Sequence, residues 1–323
     1  CPHLKNTMTI AEDRYAFVSQ YTGDLDNPDT CAFFEETIEK MKSLYGLEPS
    51  SVACDLHPDY HSTKFAMGTG LPVHKVQHHV AHRMACMAEN GLKDDVLGVI
   101  LDGTGLGNDG TIWGGELLLM KERKISRADH LPKVMQPGMD SASKNPGRML
   151  ISYLHEFGLL DEFQETLIRK LFIPEKDIKL TVSMIERKIN SIPTTSAGRL
   201  FESLGAVVTG TTKNLFEAQA AMKLEGAASS SEVKYTSFCD VTSDDFYRDL
   251  FAFAMKNLEN DVKPDNTALY VQNAFAERLA YMIQSACSKN GVEDVVLSGG
   301  VFQNLFLVKK LSSIRGLNIY RHR

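Results

Sequence analysis

Polar and apolar residues alternate in "NTMTIAEDRYAFVSQ" around a turn-like "AEDR", which predicts a hairpin near the start of the chain. "NPDTCAFFEETIEKMKSLYG" carries the helical period instead, with Asp29 or Thr30 as the expected N-cap and Gly46 as the stop. "SSVACDLHPDY" and "PVHKVQ" are short apolar runs and predict strands; the second leads into a helix over 78–90, closed by Asn90 and Gly91. "DVLGVILDGTG" and "TIWGGELLLMK" follow as two strands joined by a glycine-rich turn. From about 125 to 290 the period is mainly helical, through "PGRMLISYLHEFG", "DEFQETLIRKLF", "IKLTVSMIERKIN", "AGRLFESLGAVV", "FEAQAAMKLEGAA" and "TALYVQNAFAERLAYMIQSACSKNG". The chain then recovers a strand, "VEDVVLSGG", with the helix "VFQNLFLVKKLSSI" expected at once behind it. Strands in front, helices behind and a closing strand–glycine–helix unit predict an α/β protein of two lobes, 1–124 and 125–323, with a ligand in the cleft between them.

Composition narrows the function classes. The 323 residues are 43% apolar and 24% charged, an ordinary globular balance. A net charge of -6 disfavours a bare nucleic-acid binder, and no apolar run is long enough to span a bilayer. Cys1, Cys31, Cys54, Cys86, Cys239 and Cys287 form no CxxC, so reduced thiols, most of them in the core, and a cytoplasmic location are expected. The beginning at "CPHLKNT" without methionine and the end at "NIYRHR" directly after a strand suggest a fragment.

Three stretches carry chemistry. In "VQHHVAHRMACM", His78 and His82 are four apart and project from one helix face, within reach of one metal ion, while His79 points elsewhere. The same spacing also occurs on ordinary solvated helices, so the pair alone does not decide. In "LGVILDGTGLGNDGTIWGGE" an apolar strand delivers Asp102 at its end, and Gly103, Thr104 and Gly105 let backbone N–H groups approach an anion; a glycine-rich turn with a capping Asp is the plainer alternative. In "VVLSGGVFQN", Ser298, Gly299 and Gly300 end a strand before a helix start, with Gln303 and Asn304 placed to bond a base, ribose or phosphate; a tight junction packed by glycines is the alternative. Glu202 and Glu217 lie near helix starts, where they could accept from ribose hydroxyls or simply favour the helix dipole.

Taken in order, "LKNT", "YTGDLDN", "ACDLHPDYHST", "VQHHVAH", "ILDGTGLGNDGTIWGGE", "SAGRLF", "FEAQAA" and "LSGGVFQN" closely resemble the C-terminal module of the HypF family of hydrogenase-maturation carbamoyltransferases. The resemblance implies an actin-like, sugar-kinase-like two-lobed ATP-binding fold, holding ATP or carbamoyl adenylate. It matches His78, His82 and Asp102 to metal ligands, with N and O donors that suit zinc or iron. It also places Lys5 and Asn6 of "LKNT", Gly103, Thr104, Gly105, Glu202, Glu217, Ser298, Gly299, Gly300, Gln303 and Asn304 around the nucleotide; Asp102 and His79 are the catalytic candidates, with His79, left over by helical geometry, either a proton acceptor or merely a hydrogen-bonding group. A fourth metal ligand is expected from an aspartate in a "PPNDGG"-like segment, before which this sequence stops. Glu202 stands where the family usually has aspartate, and Lys223 where "AAMELE" is typical. No adenylate-forming module precedes "CPHLKNT", so the chain is expected to receive carbamoyl adenylate rather than make it. The implied acceptor is the C-terminal cysteine of a HypE-like partner, later the source of cyanide ligands for a nickel-iron hydrogenase. No nucleic-acid or membrane partner is expected. Competing readings are a tRNA threonylcarbamoyl transferase relative, a sugar or acetate kinase, and a noncatalytic adenine-nucleotide scaffold.

Overall fold

A computed structural model describes residues 3–93, 95–122 and 124–322, so Cys1 lies outside the described residues. The chain forms two compact units, 1–81 and 82–323. The expected boundary at 124/125 falls at the start of a strand, Lys124–His130, that pairs with the strand before it.

The first unit opens with the expected hairpin, β1 (Thr9–Glu12) against β2 (Tyr15–Val18). Helix α1 (Pro28–Tyr45) ends at Gly46, as its left-handed φ of 66° requires, but its N-cap is Asn27 rather than Asp29 or Thr30. Asn27 Oδ1 accepts from the Thr30 amide at 3.0 Å, and Pro28 fills the first helical position, where its missing N–H costs nothing. Strands β3 (Val52–Asp55) and β4 (Val73–Val76) pair in parallel, with α2 (His61–Gly68) between them in sequence. Helix α3 (His78–Glu89) runs on from β4 through the boundary of the two units.

The second unit is built on a seven-stranded sheet: β5 (Val96–Leu106), β6 (Ile112–Lys121), β7 (Lys124–His130), β8 (Val134–Pro137), β9 (Ser191–Thr194), β10 (Asp294–Ser298) and β11 (Asn318–Arg321). Its order is β11-β10-β5-β6-β9-β8, with β7 also on β6. Residues 96–101 of β5 are all buried, so the strand reads as a continuous apolar run flanked by parallel β10 and antiparallel β6.

The helices match the expected stretches: α4 (Pro146–Glu156), α5 (Leu160–Leu171), α6 (Glu175–Glu186), α7 (Ala197–Thr209), α8 (Gln219–Ser230), α10 (Pro264–Asn290) and α11 (Leu305–Leu311). Helix α9 (Phe246–Glu259) is an addition, and its Phe246, Leu250, Phe251 and Met255 join the main core. Helix α7 is buried around nearly its whole circumference, and Gly205 lets it approach α8 so closely that a Cβ there would sit 2.2 Å from the Ala220 carbonyl oxygen. The middle of the chain is mainly helical as expected, with strands β7, β8 and β9 as additions to it. Cys86 and Cys287 are buried, but Cys31, Cys54 and Cys239 are only partly so, which corrects the expectation of mostly core thiols. No helix among the described residues is long and apolar enough to cross a membrane.

Candidate metal and nucleotide site

Parallel pairing of β5 with β10 puts Leu97 to Ile100 beside Val295 to Ser298 in register. The residues that follow, Asp102 on one strand and Gly299 and Gly300 on the other, therefore meet just past the last β5–β10 pair, at the carboxyl end of β10, where α/β sheets commonly bind ligands. Both glycine elements thus stand on one sheet in one unit, rather than in separate lobes as the sequence suggested. The Gly300 amide donates to Asp102 Oδ1 at 3.2 Å, and Asp102 Oδ2 lies 3.3 Å from His82 Nε2.

The expected turn at 103–105 is instead part of β5. Pairing runs from Leu101 opposite Gly115 to Gly105 opposite Trp113, so three residues of β5 face Gly114 alone in a bulge. The reversal itself comes later, closed by Gly107 and Thr111. Gly114 permits the bulge, since a Cβ there would lie 2.6 Å from the Asp102 carbonyl oxygen. Ser196, the N-cap of α7, ties the bulge down by donating to the Gly103 carbonyl at 2.6 Å while accepting from the Arg199 amide at 3.1 Å.

Beneath the bulge lies a network the sequence did not single out. Fully buried Glu116 accepts from the Gly114 and Gly115 amides, at 3.1 and 3.2 Å, and from Thr195 Oγ1 at 2.5 Å. Arg127 Nε donates to its other oxygen at 2.6 Å, and the same guanidinium sits 4.2 Å from the Trp113 ring. The only sequence signal was the glutamate in "WGGE", an acidic residue inside an apolar strand.

Arg199 is the second residue that was missed. Its guanidinium stands beside Gly103, and its Nε is 2.9 Å from Glu202 Oε2, although the N–H is not aimed at that oxygen. Glu202 is buried, and its Oε1 accepts from Asn214 Nδ2 at 3.1 Å. Burial raises its carboxyl from the ordinary 4.5 to about 7, against the lowering pull of Arg199 and Asn214 and with a further raise from Glu217. A raised carboxyl pKa means that the folded chain holds a proton that the unfolded chain has lost between about pH 4.5 and 7. Stability therefore falls as pH rises through that window, by on the order of 3 kcal/mol from this group. Glu202→Gln keeps an acceptor for Asn214 and is expected to flatten that part of the stability-against-pH curve in urea unfolding; an unchanged slope would show that Glu202 is not the titrating group.

The remaining sequence-named residues fall as follows. Lys5 and Asn6 lie in the first unit, where the Lys5 amide donates to Asp24 Oδ1 at 2.7 Å and the side chain of buried Asn6 accepts from Thr22 Oγ1 at 3.1 Å. Glu217 is exposed and precedes α8, which starts at Gln219, so it is not a first-turn residue of that helix. The chain after Gly299 forms a 3-10 turn, Gly300–Gln303, before α11, which corrects the expected immediate helix. Gln303 is exposed. Asn304 is the N-cap of α11, accepting from the Leu307 amide at 3.0 Å and donating to Gln272 Oε1 at 2.9 Å, so its side chain is committed to the fold.

On α3 the three histidines separate as expected. His78 and His82 share one face, one turn apart. His78 Nδ1 is 3.1 Å from Asp55 Oδ2, and Asp55 Oδ1 accepts the His57 amide at 2.8 Å. Burial alone would raise the Asp55 carboxyl, but these hydrogen bonds and the neighbouring imidazoles hold it below its ordinary value. His79 is fully buried, with Gln77 Nε2 donating to its Nδ1 at 2.9 Å. His78, His82 and Asp102 each offer one donor atom to a metal ion. The carboxylate on His78 Nδ1 leaves Nε2 as that ring's ligand atom, the arrangement usual for metal-binding histidine.

Comparison with known proteins identifies the family. Residues 2–89 match the HypF Kae1-like domain, and residues 98–323 match the second subdomain of the carbamoyltransferase Kae1-like domain. The chain is 33% identical to carbamoyltransferase HypF of Synechocystis sp., over 95% of this chain and 42% of that protein. It is also 33% identical to a carbamoyltransferase HypF homolog of Cupriavidus necator, over 93% of this chain and 79% of that one. A crystal structure of full-length HypF in the phosphate- and nucleotide-bound form superposes with a TM-score of 0.89 at 30% identity, over 99% of this chain and 51% of its own. HypF of T. kodakarensis gives 0.86 at 26% identity, over 99% of this chain and 43% of its own. The chain thus spans about half the length of the HypF proteins of known structure, and its fold is the mixed α/β, actin-like type that they contain. On both family matches and on these relatives, this chain belongs to the HypF carbamoyltransferase family, as its Kae1-like part.

Proposed function

We propose that this chain transfers a carbamoyl group from carbamoyl adenylate to the C-terminal cysteine of a HypE-like acceptor, the step that leads to cyanide ligands in nickel-iron hydrogenase maturation. The observation that carries this reading is the convergence of Asp102, at the bulge of β5, with Gly299 and Gly300 at the end of β10, with His82 set on Asp102. Two imidazoles and a carboxylate fit a divalent metal such as zinc or iron, which would supply Lewis acidity to the carbamoyl adenylate.

The chain's own groups divide the work. Gly103 and Thr104 in the bulge and Gly105 just after it, with Gly299 and Gly300, offer backbone close to an anion, and Arg199 adds a cation beside Gly103. Glu202, in its partly protonated state near neutral pH, suits a ribose hydroxyl as either donor or acceptor. His79 is buried, so we assign it to bracing the start of α3 rather than to meeting the thiol. In the reaction the thiolate sulfur bonds to the carbamoyl carbon, and the carbon–oxygen bond to the phosphate breaks. AMP leaves with the electron pair.

Single-turnover transfer of labelled carbamoyl from carbamoyl adenylate to a peptide ending in cysteine tests the reading. Labelled peptide is expected. Label appearing in tRNA instead would favour the threonylcarbamoyl relative, and nucleotide binding without transfer to either acceptor would favour a noncatalytic module.

A further inference from the structure

Ser298, His322 and Glu89 form a hydrogen-bonded chain that ends on His82. His322 Nδ1 lies 2.7 Å from Glu89 Oε2, His322 Nε2 lies 2.9 Å from Ser298 Oγ, and Ser298 Oγ lies 3.3 Å from His82 Nδ1. The other nitrogen of His82 is the one at 3.3 Å from Asp102. Five side chains from α3, β5, β10 and the segment after β11 are thus linked in a single line within one unit.

When His322 carries a single proton, the direction of the protons along this line is set at its Glu89 end. An ionised carboxylate only accepts, so Glu89 requires the proton of His322 on Nδ1. The Nε2 of a neutral His322 is then an acceptor and takes the Ser298 hydroxyl proton. Ser298 Oγ, having given its proton to His322, accepts from His82 Nδ1–H. What remains is a lone pair on His82 Nε2 facing Asp102 Oδ2. A divalent cation set against both atoms would be held by that lone pair and by the carboxylate.

We infer that Glu89, His322 and Ser298 are positioning residues that set the tautomer of His82 and present its Nε2 to a divalent cation. The inference rests on the metal reading above and extends it to residues that hold no metal themselves. On the His78 side Asp55 does the equivalent work with one direct contact, whereas His82 depends on a three-residue line. Ser298, first read as a nucleotide contact, takes this role because its hydroxyl lies between two imidazoles.

The test uses the full chain with cobalt(II) alone as the probe, and with nitrogen-15 spectra of the metal-free histidines at pH 8. In the parent, His82 is expected as the Nδ1–H tautomer. Ser298→Ala and His322→Ala are each expected to shift it toward Nε2–H and to weaken cobalt binding roughly 10-fold to 100-fold, the usual cost of losing such a partner. Ser298→Thr, which keeps the hydroxyl, should restore both. The double variant should bind no more weakly than Ser298→Ala alone, because His322 acts only through that hydroxyl. An Nε2–H tautomer in the parent, or cobalt affinity within twofold of the parent in both alanine variants, would overturn the inference. A parent that binds no cobalt would instead sink the metal reading, and the nitrogen spectra would still decide the direction of the line.

Discussion

His82→Ala is expected to weaken cobalt or zinc binding by at least about 100-fold, more than the loss of an outer partner costs, and to bring carbamoyl transfer to background. The effect should be almost purely functional. The His82 side chain is 31% exposed and pairs with a partly exposed Asp102, so its removal opens no core cavity and the melting temperature should hold. His78→Ala is less clean. His78 is buried against Asp55, and its loss takes a partner from a buried carboxylate, at roughly 1 to 3 kcal/mol. Calorimetric metal titration beside thermal melting separates the two variants. Parent-like metal affinity in His82→Ala would remove that residue from the site, whatever happened to activity.

How much of this could be read in the sequence depended on where the signal was local. The His78/His82 spacing, the Gly46 stop, the hairpin at "AEDR" and most helices follow from patterns a few residues long. Strands β8 and β9 did not, because each has four residues and contains a proline, Pro137 or Pro193, which reads as loop. Strand β7 presents mostly exposed residues and no alternation. The site shows the same division. Asp102 and the glycines announce themselves at strand ends, and the family resemblance gave them roles. The partners that fix them come from far along the chain: Asp55 is 23 residues from His78, Arg127 is 11 from Glu116, and His322 is 24 from Ser298. Nothing in a local pattern pairs such residues. Only the sheet order, with β11 beside β10 and β10 beside β5, brings "YRHR" to "LSGG" and both to "ILDG". The bulge in β5 was hidden for a related reason, since three glycine-rich residues look alike in a turn and in a strand until their partner across the ladder is known.

Gly299→Ala should be the most damaging single methyl group near the site. Gly299 has φ 104° and ψ 157°, a region that is essentially glycine-only and costs other residues about 1 to 3 kcal/mol. A Cβ there would also lie 2.2 Å from the carbonyl oxygen of Leu101, the last residue of the buried run 96–101 of β5, which cannot yield without moving the sheet. That overlap adds roughly another 1 to 3 kcal/mol. With both costs together, a loss of about 3 kcal/mol or more and a drop of roughly 6 to 12 °C in melting temperature are expected for a unit of this size. Gly300→Ala is the control one residue away. Its φ is not in the left-handed region, and among the described residues its Cβ would meet only Asp102 Oδ1, at 3.2 Å. It should melt within a few degrees of the parent, yet disturb the carboxylate that faces His82 and so weaken metal binding. Two adjacent glycines would then report on different things: Gly299 on the close approach of β10 to β5 that builds the site, and Gly300 on the aim of the carboxylate within it. Equal melting temperatures for the two variants would mean that the approach at Leu101 is looser than a 2.2 Å overlap allows.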